Sequence, residues 1–92
     1  MFAISFYLLV SETRQSHPKG LSQAYAEIGS VLNRYSFQRV QGSVYISQVD
    51  SLVSVTMAMN ALKALPWFPL CVRDIRAFKV EHWSDFTDFM KS

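Results

Sequence analysis

Nine residues near the start of the chain, FAISFYLLV at positions 2–10, restrict the fold more than any other stretch. Phe2, Ile4, Phe6, Leu8 and Val10 are large and apolar, and Ala3, Ser5 and Tyr7 fall between them. Side chains alternate faces along a strand, so this period of two predicts a strand whose even residues enter a core. The odd residues then look out of the opposite face, where Tyr7 is the residue to explain. With 92 residues the chain makes one small domain, 1–92, near the low end of what buries an adequate core unaided. Half of its residues are hydrophobic and 14% are aromatic, so some apolar surface is expected to meet another subunit.

Periodicity orders the rest. Residues 11–20, SETRQSHPKG, read as a polar loop ending in turn formers. Leu21, Tyr25, Ile28, Val31, Leu32 and Tyr35 recur at helical spacing opposite Gln23, Glu27, Ser30 and Arg34, which predicts an amphipathic helix. Residues 37–41 and 43–47 read as short strands broken at Gly42, a tight antiparallel hairpin or a bent pair. Asp50 or Ser51 can cap a second helix with the stripe Leu52, Val55, Met59 and Leu62, and Pro66 stops it. Trp67 and Phe68 follow in a loop. Residues 72–81 read as the last strand, with Ile75 and Ala77 on one parity and Phe78 and Val80 on the other, so a bulge is expected. Ser84 is the expected cap of a short terminal helix carrying Phe86 and Phe89.

The order β-α-β-β-α-β is that of two split β-α-β units, an α+β, ferredoxin-like sandwich. Both helices then share one sheet face. The other face is bare unless covered, and a second copy of the chain is the simplest cover. This predicts a sheet-to-sheet homodimer with Tyr7 on the covered face.

Composition excludes several function classes. A single cysteine, Cys71, rules out an internal disulfide and a cysteine-cluster zinc site, and suits a reducing cytoplasm. Met1 leads into a strand without a basic region or signal-type cleavage site, so no secretion is expected. No apolar run approaches the ~18 residues of a membrane span. A net charge of +2 means that nucleic-acid binding must come from a local patch.

Arg73, Arg76 and Lys79 are the densest basic group. Planar guanidinium groups suit phosphate oxygens, which makes Arg73 and Arg76 the candidate RNA contacts. The competing reading is a set of internal salt bridges with Asp74 and Glu81. Asp74 could bind metal, but such a residue more often orients a neighbouring arginine. Gln41, Gly42 and Ser43 could offer polar groups and a close backbone approach to phosphate, or simply form a hairpin turn. His17 reads as a loop turn and His82 as a surface residue. The Met57–Met59 pair reads as core packing. Trp67 and Phe68 could form an exposed knob or cap the end of the core.

Two segments carry a resemblance. Gln41-Gly42-Ser43-Val44-Tyr45, and residues 72–80 (VRDIRAFKV) followed by Trp83-Ser84-Asp85-Phe86-Thr87, resemble the virulence-associated protein D (VapD) family. His17-Pro18-Lys19-Gly20 and residues 58–63 fit as well, so the resemblance spans essentially the whole chain. It implies a cytoplasmic, ferredoxin-like homodimer acting as an endoribonuclease toxin on RNA, in some members paired with a small antitoxin protein. The fold is also similar to the small ferredoxin-like subunit of CRISPR adaptation complexes. The family pattern at the end of the first strand is Phe-Asp, and its aspartate is the proposed catalytic or metal-binding residue. This chain has Phe6-Tyr7. The resemblance therefore puts Tyr7 at the catalytic position and raises a catalytic reading of Ser43 modestly, beside Gln41, Arg73 and Arg76 as the candidate RNA-binding residues; the cofactor is left unknown, with a divalent cation implied for members that keep the aspartate. A carboxylate binds a hard cation or accepts a proton near neutral pH, whereas tyrosine, with a pKa of about 10, does neither readily. The expectation is an inactive or impaired variant. The other reading open at this point is chemistry in which Tyr7 stacks on a base or donates a hydrogen bond.

Overall fold

In the computed structural model, which describes residues 1–92, the alternating segment forms strand β1 (Phe2–Leu8). Ile4, Phe6 and Leu8 are buried and Tyr7 is exposed, as the period of two predicts, but the strand ends at Leu8 and Val10, expected in the core, is exposed at the start of a helix. Helices α1 (Val10–Ser16) and α2 (Gly20–Arg34) follow, then strands β2 (Phe37–Gln41) and β3 (Val44–Ser47). Helices α3 (Leu52–Lys63) and α4 (Phe68–Cys71), strand β4 (Val72–Lys79) and helix α5 (Thr87–Lys91) complete the chain. The sheet runs β2-β3-β1-β4 with every neighbouring pair antiparallel, the ferredoxin-like arrangement with β1 in the interior.

The core lies between one sheet face and the helices. Ala24, Ile28, Val31 and Leu32 of α2, and Val55, Ala58 and Leu62 of α3, meet Ile4, Phe6, Leu8, Phe37 and Tyr45 from the strands. Phe6 is the hub, its ring centroid 6.2, 6.3 and 6.4 Å from those of Tyr25, Tyr45 and Phe68. Of the two expected caps of α3, Ser51 is the one used: its hydroxyl accepts from the Ser54 amide at 3.3 Å. Ser51→Ala should cost about 1 kcal/mol, read as a lower urea midpoint with an unchanged slope.

Several expectations change. The polar stretch after β1 is mostly helix: the Thr13 hydroxyl donates to the Leu9 carbonyl at 2.8 Å, and Thr13 is fully buried. His17 lies in the turn after α1, as expected, but its ring is buried, 4.8 Å from Trp67. Its Nδ1 accepts from the Lys19 amide at 3.1 Å, which puts the proton of the neutral ring on Nε2, 3.6 Å from the Glu27 carboxylate. Trp67 Nε1 donates to the same carboxylate. Trp67 and Phe68 therefore cap the core rather than form an exposed knob, and Phe68 opens the short helix α4 where a loop is expected. In α3, Leu52 and Met57 are exposed, Met59 is only partly buried, and Ala58 takes the core position, because the buried face is the one centred on Val55 and Leu62. At the start of α5, Asp85 rather than Ser84 holds the turn, accepting from the Thr87 amide at 2.9 Å.

The face without helices is partly covered by the chain itself. The Val80 amide donates to the Met1 carbonyl at 2.9 Å, and the following residues share a groove with Val40 and Gln41. Strands β4 and β2 are the outer strands, so this segment crosses the sheet. Ala3 and Ile46, which point to that face, are buried. Phe86, Phe89 and Met90 of the crossing segment stay exposed.

Candidate active site

Tyr7 stands opposite Asp74 across the β1–β4 pair. Leu8 pairs with Val72, so Arg73 is the extra residue of a bulge. Bulges re-aim side chains. The Arg73 guanidinium carbon lies 4.6 Å from the centre of the Tyr7 ring, within cation–π range. Its Nε donates to Asp74 Oδ2 at 3.0 Å, and Arg76 Nη1 donates to Asp74 Oδ1 at 2.8 Å. Each oxygen of Asp74 thus faces one arginine. Both arginines stay exposed, so the carboxylate aligns two guanidinium groups on the open face without removing them from solvent. The salt-bridge reading of the basic cluster holds here, but the bulge is not where the parity change suggests: pairing is regular through Ala77 and Phe78, which take opposite faces, and the extra residue is Arg73. Lys79 is apart from it, 3.5 Å from Asp50.

The arginines hold the Asp74 carboxyl below the usual carboxylate range, first through the Arg73 hydrogen bond and then through the charge and hydrogen bonding of the pair. A depressed pKa makes a weak proton acceptor. Its stabilising effect is complete above the ordinary aspartate value and is lost as pH falls through the folded-state value. A carboxyl-carbon NMR titration should place Asp74 below the ordinary aspartate value. In Arg73→Gln that midpoint should move back up, and an unmoved midpoint contradicts the assignment of the cause.

Gly42 and Ser43 form the turn between β2 and β3, and Gln41 is the last residue of β2. The register shifts between Arg39 and Gln41, and Gly42 has φ +35°, outside the range that suits a side chain. The Gly42 carbonyl accepts from Arg39 Nε at 2.9 Å, and the Ser43 carbonyl accepts from the Phe6 amide at 3.2 Å. Ser43 therefore sits beside β1 next to the Phe6-Tyr7 step, while Arg73 and Arg76 flank β1 from its other side. The fold brings Tyr7, Arg73 and Arg76 together, puts Ser43 across β1 from them, and leaves Gln41 on the outer strand.

Relatives are named by sequence comparison. An endoribonuclease VapD homolog of Neisseria gonorrhoeae is 58% identical over 92 residues, the full length of both chains. The endoribonuclease VapD of Haemophilus influenzae is 52% identical over the full length of both, and that of Helicobacter pylori 39%. The chain belongs to the VapD family. No family model matches it. Belonging to VapD puts the chain in a family of ribonucleases and fits the α+β sheet already described.

A divalent cation does not fit the residues present at position 7. Asp74 is the carboxylate paired with Tyr7, and both of its oxygens already face arginine nitrogens. No group of three or more His, Cys, Asp or Glu side chains is placed to hold a metal. No helix is long and apolar enough to cross a membrane.

Proposed function

We propose that this chain has the scaffold of a VapD endoribonuclease toxin of a toxin–antitoxin system, cutting RNA in a cleft between two copies, and that Tyr7 in place of the family aspartate impairs it. The observation that carries this reading is the grouping of Tyr7, Arg73 and Arg76 on an exposed sheet face, with the two guanidinium groups aligned by Asp74. Arginines so held suit the phosphate of a scissile linkage, and Arg73 or Arg76 would neutralise charge developing on it. A ribose 2′-hydroxyl or a water would attack, with Ser43 and Gln41 offering polar groups at the turn. The missing part is a proton acceptor. Tyrosine titrates far above neutral pH, and Asp74 is occupied and held acidic.

A second copy is supported by apolar surface. Phe78, Phe86, Phe89 and Met90 are all close to half exposed or more, which is costly for a free monomer of this size. The other reading is a non-catalytic protein of the same fold that binds RNA or an antitoxin without cutting. The Arg73 guanidinium over the Tyr7 ring favours it, because that pair occupies the place of an acid with a stacking platform. Cleavage by the Tyr7→Asp variant separates the two.

A further inference from the structure

A second polar cleft lies on the helix side of the sheet, between α2 and the β2–β3 turn, with a volume of about 550 Å³. Arg39, Ser22, Ser43, Tyr25 and Tyr45 line it, with Gly29 in its wall, and no Asp or Glu does. One cation and four hydroxyl-bearing side chains without a carboxylate describe a site for an anion rich in acceptor oxygens.

Tyr45 points most directly to a ligand. It is 5% exposed and packs its ring on Phe6, yet its hydroxyl makes no hydrogen bond within the protein. No buried polar side-chain atom lacks a partner, so the hydroxyl opens into the cleft. A phenylalanine would fill the same core space. Gly29 strengthens the case. A Cβ there would lie 3.0 Å from the Tyr45 hydroxyl, so glycine leaves the room that this hydroxyl occupies, although glycine weakens a helix interior. Burial raises the Tyr45 pKa above the ordinary tyrosine value, with a smaller opposing effect of Arg39, so the group stays an O–H donor at neutral pH. Arg39 stands opposite Tyr45 in the β2–β3 register and uses Nε to fix the Gly42 carbonyl, which leaves both terminal nitrogens for a ligand.

We propose that this cleft binds a phosphate group, with the Arg39 guanidinium and the Tyr45 hydroxyl as its donors. The cleft and Tyr7 lie on opposite faces of the sheet, with the Gly42-Ser43 turn beside the Phe6-Tyr7 step between them, so an RNA bound at both would pass over that turn. The assignment of RNA as the carrier rests on the ribonuclease reading; the phosphate site itself does not.

The test uses the full chain and a short 2′-O-methyl RNA, which cannot be cut through its 2′-hydroxyl, in 5′-phosphorylated and 5′-hydroxyl forms. Arg39→Gln and Tyr45→Phe should each weaken binding about tenfold, the loss expected for one hydrogen bond to a charged group. A loss confined to the phosphorylated form identifies a terminal phosphate, and an equal loss for both forms identifies the backbone. Tyr45→Phe keeps the ring and Arg39 is exposed, so both variants should stay folded by circular dichroism. Equal binding by wild type and both variants, or no binding by any of them, overturns the proposal. If the variants lose affinity while Tyr7→Asp cuts no RNA, the phosphate site stands and the nuclease reading falls. If Tyr7→Asp cuts and the variants bind as wild type does, only the phosphate site falls.

Discussion

Tyr7→Asp should cut RNA roughly 10²- to 10⁴-fold faster than the chain as it stands, the usual span for a positioned general acid or base. Position 7 is on the exposed face, so the change removes little packing. The new carboxylate would stand opposite Asp74 in the register, and two acids side by side repel. Arg73 and Arg76 offset that repulsion, because both already lie against Asp74. Loss of the ring also releases Arg73 from its place over Tyr7, which frees a guanidinium for phosphate. The measurement is initial cleavage rate on one RNA, with wild type and Tyr7→Asp matched for fold and oligomeric state. A variant that stays folded and dimeric yet cuts nothing refutes the nuclease reading. A wild type that cuts as fast as the variant refutes the view that Tyr7 is a lesion.

Where sequence was informative follows from where local rules meet burial. The first strand was readable because alternating large and small residues over seven positions match the pleat, and both faces behave as expected at Phe6 and Tyr7. The ferredoxin-like order followed from element sequence alone. The stretch 11–20 does not look helical because its polar side chains hide α1, which is anchored by one buried residue, Thr13, whose hydroxyl donates back to the Leu9 carbonyl. The turn at His17 is legible in sequence, but the burial of its ring is not, because its partners, Glu27 and Trp67, are 10 and 50 residues away, a separation that periodicity does not report. In the candidate site, the local Arg-Asp-x-Arg spacing suggested the ion pairs that form. The stacking of Arg73 on Tyr7 needed the β1–β4 register, which no window of sequence contains. Arg39 escaped notice for the same reason, since its relation to Tyr45 exists only across a ladder.

Phe6→Ala should lose 3–5 kcal/mol, whereas its neighbour Tyr7→Ala should lose less than about 1 in the monomer. Phe6 is 1% exposed and touches rings from three elements, so truncation leaves a cavity that none of them can fill without moving. For a domain whose total stability is about 5–15 kcal/mol, that loss brings the unfolding midpoint close to native conditions. Tyr7 is 56% exposed, and its one defined contact is the exposed Arg73, so truncation costs little more than a cation–π contact. Urea unfolding at several protein concentrations tests both residues at once. Phe6→Ala should lower the midpoint at every concentration. If two copies meet on the face that carries residue 7, wild-type stability rises with concentration, and Tyr7→Ala reduces that rise. A concentration-independent midpoint for wild type would make the chain a monomer and remove the cleft between copies from the proposed mechanism. A Tyr7→Ala loss as large as that of Phe6→Ala at the lowest concentration would mean that Tyr7 belongs to the core of a single chain, against its exposed place on the strand.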